Sequence, residues 1–196
     1  TPLTVFFDST TPSFSFEIPE GYYDGSWYVP NSAITVIISI DDEFYEYKEY
    51  VVSVTLFGIT QSKPIYEENS TSFTFDGNGK SGWYSLYIEV KPNYCAKVSD
   101  DDDVYVDANA PAIKLFVNDY DLTSFMNTLY ANLLIVPSLA RVEFVFTDDV
   151  KIYQVSVSYE IYNVNSTSYA WNDVFENECK YYVITVQDIF EHQNSY

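Results

Sequence analysis

Few residues of this chain have the types and spacing that catalysis requires. The single histidine, His192, lies in a polar segment with no nucleophile placed beside it by a motif, so we interpret it as a solvated residue. The sequence contains no glycine-rich phosphate loop, no Cys/His spacing typical of a metal site and no nucleophile elbow. Carboxylate pairs of the kind that glycosidases use arise by chance in so acidic a chain. We therefore predict that the protein is not an enzyme.

One acidic cluster has the chemistry of a calcium site. The hard oxygen ligands that calcium prefers are offered, near a predicted domain junction, by Asp100, Asp101, Asp102, Asp103, Asp107 and Asn109. Calcium at such a junction would rigidify tandem extracellular sandwiches. The alternative, which we favour, is a solvated acidic loop over residues 99–103. Apart from calcium and attached glycans, the sequence predicts no cofactor.

Four aromatic residues lie close together in the first part of the sequence and have the chemistry of a sugar-binding platform: Tyr22, Tyr23, Trp27 and Tyr28. Their rings are apolar, while the tyrosine hydroxyls and the indole N–H groups can form hydrogen bonds. Packing in a core, or contacts between subunits, would also account for them. Both interpretations stay open at this point.

Two pairs of residues indicate an extracellular protein. Asn69 and Asn165 each begin an Asn-X-Thr/Ser sequence in a polar stretch between predicted strands, where an N-linked glycan could be attached. Cys95 and Cys179 flank predicted strands of the two halves, so a disulfide between them would join the halves and stabilise the chain by roughly 4–5 kcal/mol. The alternative is two unpaired, buried thiols. We predict a secreted glycoprotein of the cell surface.

The charge of the chain excludes two kinds of partner. Its 196 residues include 29 acidic and 9 basic ones, which gives a formal net charge of -20 at pH 7. Nucleic acid is therefore an unsuitable partner. An anionic membrane would repel the chain, and no apolar run reaches the ~20 residues of a spanning helix, so we predict no direct membrane insertion. The same balance would suit an acidic medium, or would simply keep the surface soluble.

The elements that would position these residues are predicted to be strands. Tyr, Phe, Val, Ile and Thr are abundant, whereas good helix formers are scarce. In the first half Phe14, Phe16 and Ile18 alternate with polar residues, as in a strand with one face on a core. Further strands are predicted over residues 33–40, 50–57, 72–75, 83–90 and 104–106, with a turn at 76–79.

In the second half, strands are predicted over residues 113–117, 141–146, 154–161 and 181–187. Residues 121–134 are less regular, and four of them at helical spacing predict a short helical turn: Leu122, Phe125, Met126 and Leu129. The strand pattern breaks at residues 107–111, which include a proline. We therefore place a boundary there, between a first domain at 11–107 and a second at 108–196.

Three passages resemble tandem immunoglobulin-like or fibronectin-like domains of prokaryotic surface proteins. Residues 104–113 are similar to the junction where one domain's final strand continues into an Asp, a Pro and the next first strand. Residues 144–157, with Asp148 and Asp149 at their centre, resemble the second hairpin of such domains. Residues 181–194 resemble the penultimate strand and the turn that follows it. The resemblance implies two tandem immunoglobulin-like β-sandwich domains, the second lacking its final strand.

The two halves are predicted to differ at their ends. A partner at 104–106 follows the strand over 83–90, whereas nothing strand-like is predicted after Gln187. An open sandwich would expose unpaired backbone groups. At the other end, residues 13–18 supply an opening strand, so an apolar strand within residues 1–10 is surplus. That candidate donor strand consists of Leu3, Thr4, Val5, Phe6 and Phe7, and its alternate residues Leu3, Val5 and Phe7 would enter an acceptor core.

Donation of that strand to the next copy would satisfy both ends and, if the contact does not close into a ring, would build a fibre. This arrangement resembles archaeal surface filaments, such as threads and bundling pili, whose glycosylated subunits join by donor-strand complementation. It implies a homopolymer that serves adhesion, aggregation or biofilm formation. The alternatives are that residues 3–7 open their own domain, or that the chain is an immunoglobulin-like module of an S-layer protein or of a carbohydrate-binding adhesin.

Overall fold

The computed structural model describes residues 10–43, 45, 48–93, 95–126, 139–174 and 182–195. The chain divides at the Asp107–Ala108 peptide bond into two compact units. Its described residues form strands and one four-residue helix. The predicted all-β class of immunoglobulin-like sandwiches is thereby confirmed. The candidate donor strand lies outside the described residues. No helix in the described ranges is long and apolar enough to cross a membrane.

Unit 1 is a sandwich of two sheets. Its strands are β1 (Ser13–Glu17), β2 (Tyr22–Tyr23), β3 (Trp27–Pro30), β4 (Ala33–Asp41), β5 (Glu49–Leu56), β6 (Ile59–Tyr66), β7 (Ser70–Asp76), β8 (Gly82–Pro92) and β9 (Val98–Asp107). One sheet has the order β1-β4-β7 and the other the order β2-β3-β9-β8-β5-β6. Paired strands are antiparallel except β3 and β9, which run parallel.

The core of unit 1 lies between these sheets. Alternate residues of β4, such as Ile34 and Val36, are fully buried and belong to the same cluster as Val54 of β5 and Ile88 of β8. This alternation follows from the two-residue period of a strand, which sends successive side chains to opposite faces. The central strands of unit 1 thus bury one face against the other sheet and turn the other face outward.

Side chains of β6 join the edges of the two sheets. Gln61 donates a hydrogen bond from Nε2 to the Thr74 carbonyl of β7 at 2.8 Å, and Lys63 donates from Nζ to the Ser72 carbonyl. The Lys63 ammonium also lies 4.9 Å from the centre of the Phe73 ring. These contacts satisfy carbonyl groups at the edge of β7, where a further strand would otherwise pair.

A buried ion pair lies between β4 and β5. The Nζ atom of Lys48 donates to both carboxylate oxygens of Asp42, at 3.1 and 2.8 Å, and the Tyr50 hydroxyl donates to Oδ2 at 2.6 Å. The side chains of Lys48 and Asp42 are 6% and 0% exposed. Because a buried carboxylate is tolerated when it is paired and hydrogen-bonded, this arrangement fixes the connection between the two sheets.

The predicted acidic loop is wrong, because residues 99–103 belong to β9. They pair with β8 along their whole length, from Ser99 opposite Glu89 to Asp103 opposite Ser85. Asp is a poor strand former, but pairing with a long neighbouring strand overrides local propensity. Alternation then places Asp101 and Asp103 on one face of the sheet and Asp100 and Asp102 on the other.

Unit 2 is built around one long, bent hairpin. Its elements are β10 (Ala112–Val117), β11 (Tyr120–Asp121), α1 (Thr123–Met126), β12 (Arg141–Val157), β13 (Glu160–Val174), β14 (Ile184–Asp188) and β15 (Gln193–Ser195). The sheet order is β11-β10-β12-β14-β15, with β13 paired to β12. Helix α1 lies within the predicted helical region, where Leu122 and Met126 pack on the core; Leu129 lies outside the described residues.

The predicted hairpin over residues 144–157 is wrong, since β12 continues through Asp148 and Asp149 as one strand. The pairing with β13 shifts register between Thr147 and Ile152, which is the signature of a bulge. The first part of β12 pairs with β10 and the last part with β14. Both parts contribute to one core, for example through Phe146 and Val155. The chain reverses at Ser158, which has a positive φ of 59°. The strand predicted over 154–161 is therefore divided by a turn.

A short strand follows Gln187, which corrects the expectation that nothing strand-like does. Strand β15 pairs antiparallel with β14, with Asn194 opposite Val186. The Asn194 side chain also donates to the Pro111 carbonyl at 3.2 Å. These contacts cover part of the edge of β14, which the sequence predicts to be open.

The turn between β14 and β15 is organised by Asp188. Its Oδ1 atom accepts hydrogen bonds from the backbone N–H groups of Phe190 and His192, at 2.7 and 2.9 Å. Its Oδ2 atom lies 2.8 Å from Nδ1 of His192, whose side chain is 23% exposed. The interpretation of His192 as a solvated residue is therefore wrong: the imidazole helps to close this turn.

Candidate functional site

Four aromatic side chains form a row across four neighbouring strands of unit 1. Tyr22 on β2 pairs in register with Tyr28 on β3, Tyr28 pairs with Tyr105 on β9, and Tyr105 pairs with Trp83 on β8. Residues in register project from the same face of a sheet, so the four rings lie side by side. We call Tyr22, Tyr28, Tyr105 and Trp83 the aromatic row.

The rings of the aromatic row contact one another at an angle. The centroid distances are 6.5 Å for Tyr22–Tyr28, 5.9 Å for Tyr28–Tyr105, 5.1 Å for Trp83–Tyr105 and 5.8 Å for Tyr28–Trp83. In the same order, the planes are inclined by 43°, 54°, 60° and 66°. Tilted and edge-to-face contacts at these distances are favourable, so each ring restrains its neighbours.

The aromatic row lies on the face of the sheet that points away from the core. Val29, which follows Tyr28, and Val104 and Val106, which flank Tyr105, are fully buried. Trp83 is 55% exposed, and the three tyrosines are half-buried. The row is therefore a preorganised apolar strip that is open to a ligand.

Polar groups continue the same face beside the aromatic row. Ser85 pairs with Asp103, and the next outward pair is Tyr87 with Asp101. The Tyr87 hydroxyl donates to Glu89 at 3.4 Å. A hydrogen bond from Lys97 to Glu89, 2.6 Å long, is the main cause that holds the pKa of Glu89 below its usual value. Hydroxyl groups and carboxylates thus adjoin the aromatic strip.

The structure separates the four aromatic residues that the sequence grouped as a platform. Tyr22 and Tyr28 belong to the aromatic row, whereas Trp27 packs against the core of unit 1. Trp27 contacts Phe16 at 6.1 Å and Tyr23 at 5.3 Å. Core packing therefore explains Trp27. Tyr23, which contacts Trp27, is itself 54% exposed, and Tyr22 and Tyr28 lie on the outward face.

Trp83 and Tyr105 could not be identified as site residues from the sequence alone. Both lie far from Tyr22 and Tyr28 in the chain, and the parallel pairing of β3 with β9 brings them together. One local signal was present: Trp83, Ser85 and Tyr87 alternate with the buried Leu86 and Ile88. This pattern marks aromatic residues on the outward face of a strand.

Unit 2 contains a second group of aromatic residues, but these rings pack on its core. The group consists of Phe144, Phe146, Tyr162, Tyr169, Trp171 and Tyr182. Trp171 donates from Nε1 to the Tyr162 hydroxyl at 3.1 Å, and the Tyr182 hydroxyl donates to Asp173 at 2.8 Å. Burial, followed by this hydrogen bond, raises the pKa of Tyr182. We assign these rings a structural role.

The predicted attachment sites for glycans are both exposed. Asn69 lies in the turn before β7, where its carbonyl accepts a hydrogen bond from the Ile40 N–H at 2.7 Å. Asn165 lies within β13, not between strands, and its side chain is exposed. Cys95 is half-buried, whereas Cys179 lies outside the described residues. The disulfide and the two glycans stay predictions.

The predicted calcium ligands are spread over different surroundings. Asp100, Asp101, Asp102 and Asp103 alternate between the two faces of β9. Asp107 is fully buried, and Asn109 donates from its amide to Asp149 at 3.1 Å. Within the described ranges, no three of the carboxylates at positions 100–103 converge on a common point. The calcium site stays a prediction that this arrangement does not favour.

Comparisons with known proteins identify no family for this chain. No family model matches the sequence, and no curated protein does. One similar solved structure is SGBP-B of the Bacteroides ovatus mixed-linkage glucan utilization locus, in complex with a mixed-linkage heptasaccharide. The alignment covers 92% of this chain and 69% of that one, with a TM-score of 0.31 and 10% sequence identity.

Proposed function

We propose that the protein is an extracellular adhesin module, not an enzyme, and that the aromatic row binds a glycan. The supporting observation is the row itself: four aromatic side chains in register on four strands, on the face away from the core. Exposed apolar surface of this extent commonly marks a binding site. The location in unit 1 makes that unit the binding domain.

The chemistry of the row suits a sugar. The face of an aromatic ring carries partial negative charge, which attracts the polarised C–H groups on the flat side of a pyranose. Ser85 and Asp103, on the same outward face of the sheet, can exchange hydrogen bonds with sugar hydroxyl groups. Binding sites of this kind combine a mainly aromatic lining with a few polar groups that fix orientation.

Replacing Trp83 by alanine is expected to weaken glycan binding at least about tenfold, because large aromatic anchors commonly contribute more than 1 kcal/mol to binding. Tyr28→Ala should also weaken glycan binding, since Tyr28 contacts both Trp83 and Tyr105. Affinity electrophoresis and calorimetry with cellohexaose, xylohexaose, mannohexaose and the hexamer of N-acetylglucosamine would measure the effect.

The matched control is Tyr159→Ala, which removes an aromatic ring that is 100% exposed in unit 2. This variant should bind as the unmodified protein does. Equal weakening by Tyr159→Ala and Trp83→Ala, or unchanged binding of the Trp83→Ala variant, would contradict the assignment of the site.

A second proposal is that copies of the chain join by strand addition into an extracellular filament. The observation that favours it is β13, a strand of 15 residues that pairs, among the described residues, with β12 alone. The other edge of such a strand presents backbone groups to which an extended segment can pair. Residues 3–7 are the proposed donor, and identical subunits are the proposed partners.

Deletion of residues 1–10 is expected to abolish filaments if this second proposal holds. Electron microscopy and sedimentation would compare the full chain with the shortened one, and a synthetic peptide of residues 3–7 should bind the shortened chain. Compact monomers in both samples would refute polymerisation without affecting the glycan proposal.

A further inference from the structure

We infer that the aromatic row takes a single glycan chain without acidic groups, and that it does not bind the surface of a crystalline polysaccharide or a polyanionic glycan. This inference rests on the proposed function of the row and adds the class of its ligand. Two observations carry it: the inclination of the rings, and the carboxylates that share their face.

The inclination of the rings decides between a chain and a crystal face. A flat crystalline surface can lie against several rings at once only if those rings are nearly coplanar. In the row, neighbouring planes are inclined by 43°, 54° and 60°. The rings are held at these angles by one another, so flattening would cost their mutual contacts. A single chain can turn from one sugar to the next and meet each ring separately.

The charges beside the row decide between neutral and acidic sugars. Asp103 is exposed. It pairs with Ser85, next to the Trp83–Tyr105 pair, and Asp101 lies one outward pair further along β9. The cations of this face, Lys91 and Lys97, lie toward the Glu89 end of β8, and Lys97 contacts Glu89 at 2.6 Å. A uronate or sulfate on the ligand would therefore approach carboxylates and would be repelled, whereas sugar hydroxyl groups can donate hydrogen bonds to them.

Matched pairs of probes test the inference. Cellohexaose is compared with microcrystalline cellulose, and the soluble hexamer of N-acetylglucosamine with crystalline chitin, in depletion assays. Each neutral hexose hexamer that binds is compared by calorimetry with an acidic form of the same hexamer, in which the C6 hydroxyl groups are oxidised to carboxylates; for mannohexaose this is the mannuronate hexamer. We expect binding to at least one soluble neutral hexamer, at least tenfold weaker binding of its acidic form, and no depletion by the crystalline forms.

The variant Asp103→Asn is expected to reduce the ratio of the affinities for neutral and acidic hexamers by about fivefold, because it removes one negative charge next to the row. Asp100→Asn is the matched control: it changes the net charge equally but projects from the opposite face of β9. Equal effects of the two variants would overturn the role of Asp103.

The outcomes separate this inference from the proposed function. If no probe binds in any form, the proposed function fails and the inference falls with it. If the protein binds crystalline cellulose or chitin as well as the soluble hexamer, or binds an acidic hexamer as tightly as its neutral form, the row is still a glycan site but its assigned ligand class is wrong.

Discussion

Replacing Lys48 by methionine is expected to destabilise unit 1 by about 3–5 kcal/mol, the range found when one partner of a buried ion pair is removed. The variant leaves the Asp42 carboxylate buried, with its side chain 0% exposed, and without its ammonium partner. The Tyr50 hydroxyl still donates to Asp42, but one neutral donor does not offset the desolvation of a charge. Calorimetry and chemical denaturation would measure the loss.

The control for this prediction is Lys97→Met, which also removes the cation of a short ion pair. The Lys97 side chain is 59% exposed, and its distance to Glu89 is 2.6 Å. Exposed pairs contribute little to stability because water screens them, so the loss from this variant should be much smaller than that from Lys48→Met. Equal losses from the two variants would contradict the buried character of the Asp42–Lys48 pair.

Replacing Phe146 by alanine is expected to destabilise unit 2 by about 3–5 kcal/mol, since the ring is fully buried and its removal leaves a cavity. Phe146→Leu keeps much of the apolar volume and should cost less. Because the two units have separate cores, we expect two calorimetric transitions. Phe146→Ala should lower the midpoint temperature of one transition, and Lys48→Met should lower that of the other.

The control within unit 2 is Phe125→Ala, which makes the same chemical change at a side chain that is 55% exposed. Its effect should be much smaller than that of Phe146→Ala. If both Phe146→Ala and Lys48→Met shift one common transition by similar amounts, the two units do not unfold as separate bodies.

Strands with a clean alternation could be predicted from the sequence. Residues 13–18 and 33–40 alternate or are continuously apolar, and they correspond to β1 and β4. The acidic part of β9 and the middle of β12 could not be predicted in this way, because their residues are poor strand formers. Long partner strands hold them in place through backbone hydrogen bonds, and that pairing is not visible in one local segment.

The candidate site, too, depends on strand pairing that a local segment of sequence does not reveal. The sequence identifies Tyr22 and Tyr28 as platform residues, but proximity in the chain groups them with Tyr23 and Trp27. The two-residue period of a strand separates them, since Tyr28 and Trp27 point to opposite faces. Trp83 and Tyr105 join the row through strand pairing over a long stretch of chain, which a single sequence does not reveal.

The parallel pairing of β3 and β9 has a consequence for how the protein is made. It joins residues 27–30 to residues 104–107, and the chain between them makes up most of unit 1. Pairing of such distant segments requires the long intervening chain to be closed into a loop. The entropy lost in that closure slows folding. A chain still emerging from the ribosome without residues 104–107 therefore has no aromatic row. Any ligand of the row meets only the completed unit and, by mass action, holds it in the folded state.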